Sequence, residues 1–196
     1  MGKNKGLLIV LGVLVLLFFW GCNVYNGLIG VDQGVKKQWG NVETNYQRRT
    51  DLYNSVIKVV EGSANFEKST LVQVIQARAR ATSINVNIND SASLNQYQQA
   101  QAGLQSSFAR LMAVAESYPD LKSTKAFGDF QTQIEGTENR INVARQDYNK
   151  AVNDYNLRVK TFPQNLFAGM FGYHEKPYYK SDVGSDKAPD VHFDIK

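Results

Sequence analysis

The sequence is short of the residues from which catalytic and metal sites are built. It has one cysteine, Cys22, so no disulfide can close within the chain, and cysteine usage reveals nothing about the redox compartment. Its two histidines, His174 and His192, have no Cys or His at metal-ligand spacing, which argues against a zinc site. There is no Gly-x-Ser-x-Gly, no Walker loop, no His-Glu-x-x-His and no Rossmann glycine pattern. Glu135 and Glu138 stand three apart, but di-metal bundles use Glu-x-x-His on paired helices and the histidine is missing. These carboxylates therefore read as a solvated face or as salt-bridge partners. The net charge of +4 is scattered among acidic residues and forms no basic stripe of the kind nucleic-acid binders carry. A non-enzymatic protein without cofactor, metal or nucleic-acid partner is expected.

What the sequence does have is one long apolar run. Residues 7–25 carry no charge and provide about twenty residues, enough to cross a hydrocarbon core about 30 Å thick. Trp20 and Tyr25 sit where an interfacial aromatic belt belongs. A cleaved signal peptide would want a small-residue cleavage site of the Ala-x-Ala kind, and none is present. Lipid attachment at Cys22 competes with a retained anchor: Gly21 suits it, the bulky Phe19-Trp20 does not, and either outcome attaches the chain to a membrane. Lys3 and Lys5 on one side, against Lys36, Lys37, Arg48 and Arg49 on the other, favour an exported domain, periplasmic or extracellular.

Beyond the span, apolar residues recur at three and four. The first stripe is Val31, Val35, Trp39, Val42, Tyr46, Tyr53, Val56 and Val60, broken at Arg49. The membrane helix can run on into it unless Gly27, Gly30 and Gly34 kink it. Gly62 is the expected C-cap. A second helix is predicted from an N-cap at Asn65, with Phe66, Leu71, Val74, Ile75 and Ala81 on its face. Residues 83–90 alternate apolar and Asn but have no partner strand, so a connector is expected. Ser93 and Gln96 form a capping-box pattern for a third helix. The fourth stripe runs Phe127, Phe130, Ile134, Thr137, Ile141, Ala144, Tyr148, Ala151, Tyr155, Arg158 and Phe162, a heptad seam of the coiled-coil kind ended by Pro163.

The predicted fold is all-α: an N-terminal transmembrane helix followed by an elongated antiparallel four-helix bundle. The divisions are a short basic N-terminus (1–6), the span (7–25), the bundle (26–163), an aromatic-rich segment (164–180) and a disordered tail (181–196). In the aromatic-rich segment, Leu166, Phe167, Met170, Phe171 and Tyr173 either fold back on the bundle or meet membrane or a partner. The most distinctive polar cluster is Arg48, Arg49 and Asp51. Arg49 falls on the apolar stripe, so it needs a carboxylate from another helix, with Glu135 or Glu138 as candidates. The alternative is that Arg49 receives an anionic group.

These residues resemble the LemA family. The likeness is carried by Trp39-Gly-Asn-Val42-Glu43, Tyr46-Gln-Arg48-Arg49-Thr-Asp51-Leu52, Asn65-Phe66-Glu67-Lys68-Ser69 and Ala77-Arg78-Ala79. It continues in Tyr118-Pro119-Asp-Leu121, Glu138-Asn139-Arg140-Ile141, Arg145, Tyr148-Asn149, Tyr155-Asn156 and Phe162-Pro163. The family commonly carries Pro-Asn-Leu soon after Asp-Leu; here Tyr53-Asn54-Ser55-Val56 follows without the proline, which implies a straighter first helix. The resemblance implies a bacterial membrane protein with a four-helix domain and no established reaction. The expected function is a structural or scaffolding protein, single-pass in the inner membrane, that contacts lipid and self-associates as a homo-oligomer. An adaptor for another membrane protein or enzyme is the alternative.

Overall fold

A computed structural model describes residues 3–63 and 66–180, with side chains from residue 6. The regular structure among them is helical: α1 (Lys3–Glu61), α2 (Lys68–Ser83), α3 (Ser91–Ala115), α4 (Pro119–Lys122), α5 (Lys125–Lys160) and α6 (Gln164–Met170). The tail 181–196, the outermost N-terminus and the helix start expected at Asn65 lie outside the described residues.

α1 is a single helix of 59 residues, about 88 Å long at 1.5 Å per residue. Gly27, Gly30 and Gly34 do not interrupt it. At Gly27 the missing side chain has a use. A Cβ there would lie 2.5 Å from Nη2 of Arg158, so the guanidinium rests against bare backbone. The helix is long and apolar enough to cross a membrane. Its residues 6–20 are exposed, and the first buried side chain is Val24. α1 therefore leaves its apolar part uncovered by protein and enters the core without a break.

The core forms two clusters. The one nearer the span joins Leu28, Val35, Trp39 and Tyr46 of α1 to Leu94 and Tyr97 of α3 and to Tyr148, Val152 and Tyr155 of α5. The far one joins Tyr53, Val56 and Val60 to Val74, Leu104, Phe108, Leu121, Phe127 and Phe130. Aromatic pairs bind both: Trp39 packs edge-on against Tyr97 at 5.6 Å and Tyr148 at 5.4 Å, while Tyr53 stacks on Phe108 at 3.8 Å. From Gly27 to Tyr53, the partners of α1 on α5 descend from Arg158 through Tyr148, Arg145 and Glu138 to Phe130.

The heptad expected for α5 holds only in part. Its buried positions are Phe127, Phe130, Thr137, Ile141, Ala144, Tyr148, Val152, Tyr155, Asn156 and Val159, while Arg158 and Phe162 are exposed. Thr137, Tyr148 and Val159 are eleven apart, whereas on α1 the buried residues from Val35 to Val60 keep the alternating step of four and three. An eleven-residue repeat averages 3.67 residues per turn, near the natural α-helical value, and does not impose the left-handed supercoil of a heptad. Buried Thr137 satisfies its hydroxyl within the helix by donating to the Gln133 carbonyl at 2.8 Å.

Helix ends also depart from expectation. α3 is capped by Asp90, not Ser93: the Asp90 carboxylate accepts from Ala92 N at 3.0 Å and Ser93 N at 3.2 Å. Ser93 instead accepts from Asn87 N at 2.9 Å and ties down the connector, which carries no strand. Gly62 follows α1 but has no left-handed φ; among the described residues only Gly172 does, at 74°. There Tyr173 N donates to the Ala168 carbonyl at 2.9 Å, which closes α6 and turns the chain back toward α5.

Because Tyr53 is buried and stacked, Tyr53→Ala is expected to lower stability by roughly 3–5 kcal/mol in urea unfolding, whereas Tyr53→Phe keeps the stack and most of the stability.

Candidate functional site

Between the two core clusters lies a polar layer built on Arg49. Its side chain is 1% exposed. Nη2 donates to the Gln101 side-chain oxygen at 2.7 Å and to the Gln101 carbonyl at 3.3 Å, and Nη1 donates to Glu138 Oε1 at 3.3 Å. The guanidinium also lies 4.7 Å from the Tyr46 ring centre and 5.8 Å from that of Tyr53. Of the two carboxylates anticipated, Glu138 is the partner, while Glu135 is exposed one turn earlier on α5. Arg48 and Asp51 do not join the layer. Both face out, and Asp51 accepts from Gln47 Nε2 at 2.9 Å. Arg49 thus forms an internal ion pair, with its Nε left without a hydrogen-bond partner.

A second polar device holds the C-terminal segment. Residues 173–180 run extended along α5. Asn156 grips Lys176 through both backbone groups, accepting from its N at 2.9 Å and donating to its carbonyl at 3.0 Å. One heptad earlier, Asn149 treats Tyr179 the same way, at 2.7 and 2.9 Å. Tyr155 donates to the His174 carbonyl at 2.9 Å and Tyr148 to the Pro177 carbonyl at 3.2 Å. Two amides seven residues apart lie on one helix face, so they can imitate a strand partner for an extended chain. The buried Lys176 ammonium pairs with Asp32 at 3.0 Å, contacts Asn89 and lies over the Tyr155 ring. Tyr179 reaches Tyr46 hydroxyl to hydroxyl at 2.5 Å, and Arg145 donates to that same Tyr46 oxygen.

The third feature is a collar at the end of the apolar run. α6 packs across α1, with Phe167 edge-on to Trp20 at 5.2 Å and Phe171 against Tyr25 at 4.9 Å. Gly21 permits this approach, since a Cβ there would stand 3.3 Å from the Phe167 ring. Leu166, Met170 and Phe171 remain largely exposed, while Phe167 and Tyr173 are half-buried. The segment thus folds back through its strap and also presents an apolar surface through α6.

The sequence matches the LemA family over residues 38–193, most of the chain and nearly all of it beyond the span. The chain belongs to the LemA family. It is 24% identical over 200 residues to "Magnetosome protein MamQ 2" of Paramagnetospirillum magneticum (strain ATCC 700264 / AMB-1), covering 91% of this chain and 74% of that one. It is 25% identical over 170 residues to "Protein LemA" of Metamycoplasma hominis (strain ATCC 23114 / DSM 25592 / NBRC 14850 / NCTC 10111 / PG21), covering 85% and 74%.

In this LemA-family chain the residues behind the likeness acquire physical roles. Trp39 and Tyr46 build the near core, Arg49 and Glu138 the polar layer, and Asn149 and Asn156 the clasp. Phe66 closes the far end against Tyr118 at 5.1 Å. Sequence reasoning missed the clasp. Its one available signal was the seven-residue spacing of the two Tyr-Asn pairs, with both asparagines at the edge of an apolar stripe. Among the described residues, no three His, Cys, Asp or Glu side chains come together as a metal site.

Two predictions arise from these geometries. Glu138→Ala strips a buried guanidinium of its charge partner and is expected to cost roughly 1–3 kcal/mol in urea unfolding. Adding Arg49→Met should recover most of that loss, because a hydrophobic replacement needs no partner. For the strap, burial alone would raise the Asp32 pKa, but hydrogen bonds and charge from Lys36 and Lys176 outweigh it and hold the carboxyl below its ordinary 3.8. A depressed folded pKa stabilises above the unfolded value and loses that contribution as pH falls through the folded one. The destabilisation caused by Asp32→Asn, measured by urea unfolding, is therefore expected to be constant near neutrality and to shrink below about pH 4.

Proposed function

We propose that this chain is a non-enzymatic, membrane-anchored scaffold that self-associates at the bacterial membrane. The observation that carries the reading is the unbroken passage of α1 from an exposed apolar run into a packed domain. A domain so mounted is held on a stiff stalk rather than a flexible tether, and ordered side-by-side assembly needs that stiffness. The descending order of α5 partners along α1 supports an antiparallel arrangement, with α1, α2, α3 and α5 as the four long members of a bundle spanning 26–163. The anchor lies in the inner membrane with the domain on the periplasmic or extracellular side, in keeping with Lys3 and Lys5 before the span. A relative's name, magnetosome protein, supports a structural rather than a catalytic role. No cofactor, metal or nucleic acid enters this function.

The apolar surface of Leu166 and Met170 beside the span favours a second reading, an adaptor that contacts another membrane protein there. Sizing of detergent-extracted full-length protein, together with crosslinking in cells, separates the two. The scaffold predicts a concentration-dependent oligomer and crosslinks between copies. A clean monomer at micromolar concentration contradicts it, and a single foreign protein in every crosslinked product establishes the adaptor.

A further inference from the structure

Between α1 and α6 lies an open groove of about 290 Å³. Leu17, Gly21, Cys22 and Tyr25 line one side, and Phe167 and Phe171 the other. Its surface is almost wholly apolar, with no charged side chain in the lining. Eight residues separate Leu17 from Tyr25, about 12 Å along the helix axis. The groove thus starts within the exposed apolar run and ends beside Tyr25, which packs on Phe171. Its open side faces whatever surrounds the span.

The geometry points to this groove as the seat of one acyl chain of a membrane phospholipid. The inference rests on the membrane-anchor reading, since only in a bilayer is the groove's open side met by lipid. Continuity with the span supplies the occupant: Leu17 belongs to the run that crosses the hydrocarbon, so the groove is a side branch of the same apolar medium. Left empty, the ring faces of Phe167 and Phe171 would forfeit dispersion contacts, and a flexible chain can restore them. Tyr25 lines the upper end of the groove, and a tyrosine suits the level at which a lipid's ester region lies. Gly21 is the residue that makes the groove possible, because its lack of a side chain sets Phe167 directly over the α1 backbone.

The test is photolabelling of full-length protein in nanodiscs of phosphatidylethanolamine and phosphatidylglycerol, part of the lipid carrying a diazirine in mid-chain, with adducts located by peptide mass spectrometry. A seated chain labels Phe167, which is half-buried against Trp20 and Gly21, several-fold more than the exposed Leu166 and Met170. Cys22→Trp, which fills the groove, should abolish that preference while leaving labelling of Leu11 and Leu14 unchanged. Equal or greater labelling of Leu166 and Met170 in the unaltered protein overturns the proposal, showing that α6 merely lies against lipid. This ratio needs no variant, so a misfolded Cys22→Trp protein does not rescue the idea. A fatty acyl thioester found on Cys22 by intact mass also overturns it, because the chain in the groove is then covalent. Absence of label at Leu11 and Leu14 instead removes the anchor reading itself.

Discussion

The structure depends on one constraint: α1 must satisfy two solvents along a single backbone. Within lipid, every backbone polar group has to be paired inside its own segment, which a continuous helix achieves. Beyond Val24 the same helix must present a buried stripe to its neighbours. One helix meets both demands: Val35, Trp39, Val42, Tyr46, Arg49, Tyr53, Val56 and Val60 are buried at alternating steps of four and three, and the same unbroken backbone carries the exposed apolar run before them.

Around that stalk the molecule spends its buried polar groups on register. Two apolar clusters by themselves would tolerate sliding of α5 along α1 by a turn. The Arg49 layer does not, because its guanidinium needs Gln101 from α3 and Glu138 from α5 together. An Arg displaced by one turn would be buried and unpaired, which is far more costly than the pair is stabilising. The clasp acts similarly on the chain's return. Asn149 and Asn156 saturate the backbone groups of Tyr179 and Lys176, so the strap can sit in only one position along α5. That position delivers α6 to the level of Trp20 and Tyr25, where protein and span meet.

Much of this was legible in the sequence, for definite reasons. A charged residue on an apolar stripe announces a buried pair, and of the two candidates, Glu135 and Glu138, the structure takes Glu138. The run from the span into the first stripe left a single helix or a kink at Gly27, Gly30 or Gly34 open, and the single helix is what forms. Other features were hidden because their partners are backbone. Nothing in Lys176 or Tyr179 signals that an asparagine will grip their amides, since every residue carries those groups. The cap of α3 was misread because Asp90 and Ser93 are both good caps, and only the connector's need for Ser93 decides between them. The α5 seam was misread beyond Tyr148 because Ala151 and Val152 are both apolar. The choice falls on Val152, in step with the eleven-residue repeat, and leaves Arg158 to lie over Gly27.

The central claim is that α1 is continuous through the boundary between lipid and domain. Electron spin-spin distance measurement in nanodiscs tests it directly, with labels at Leu11→Cys and Lys37→Cys in a Cys22→Ser background. Twenty-six residues of unbroken helix place the two backbone sites about 39 Å apart. A single narrow distribution near that value is the predicted result. A broad distribution, or one centred well below it, would show a hinge at Gly27, Gly30 or Gly34 and contradict the rigid stalk.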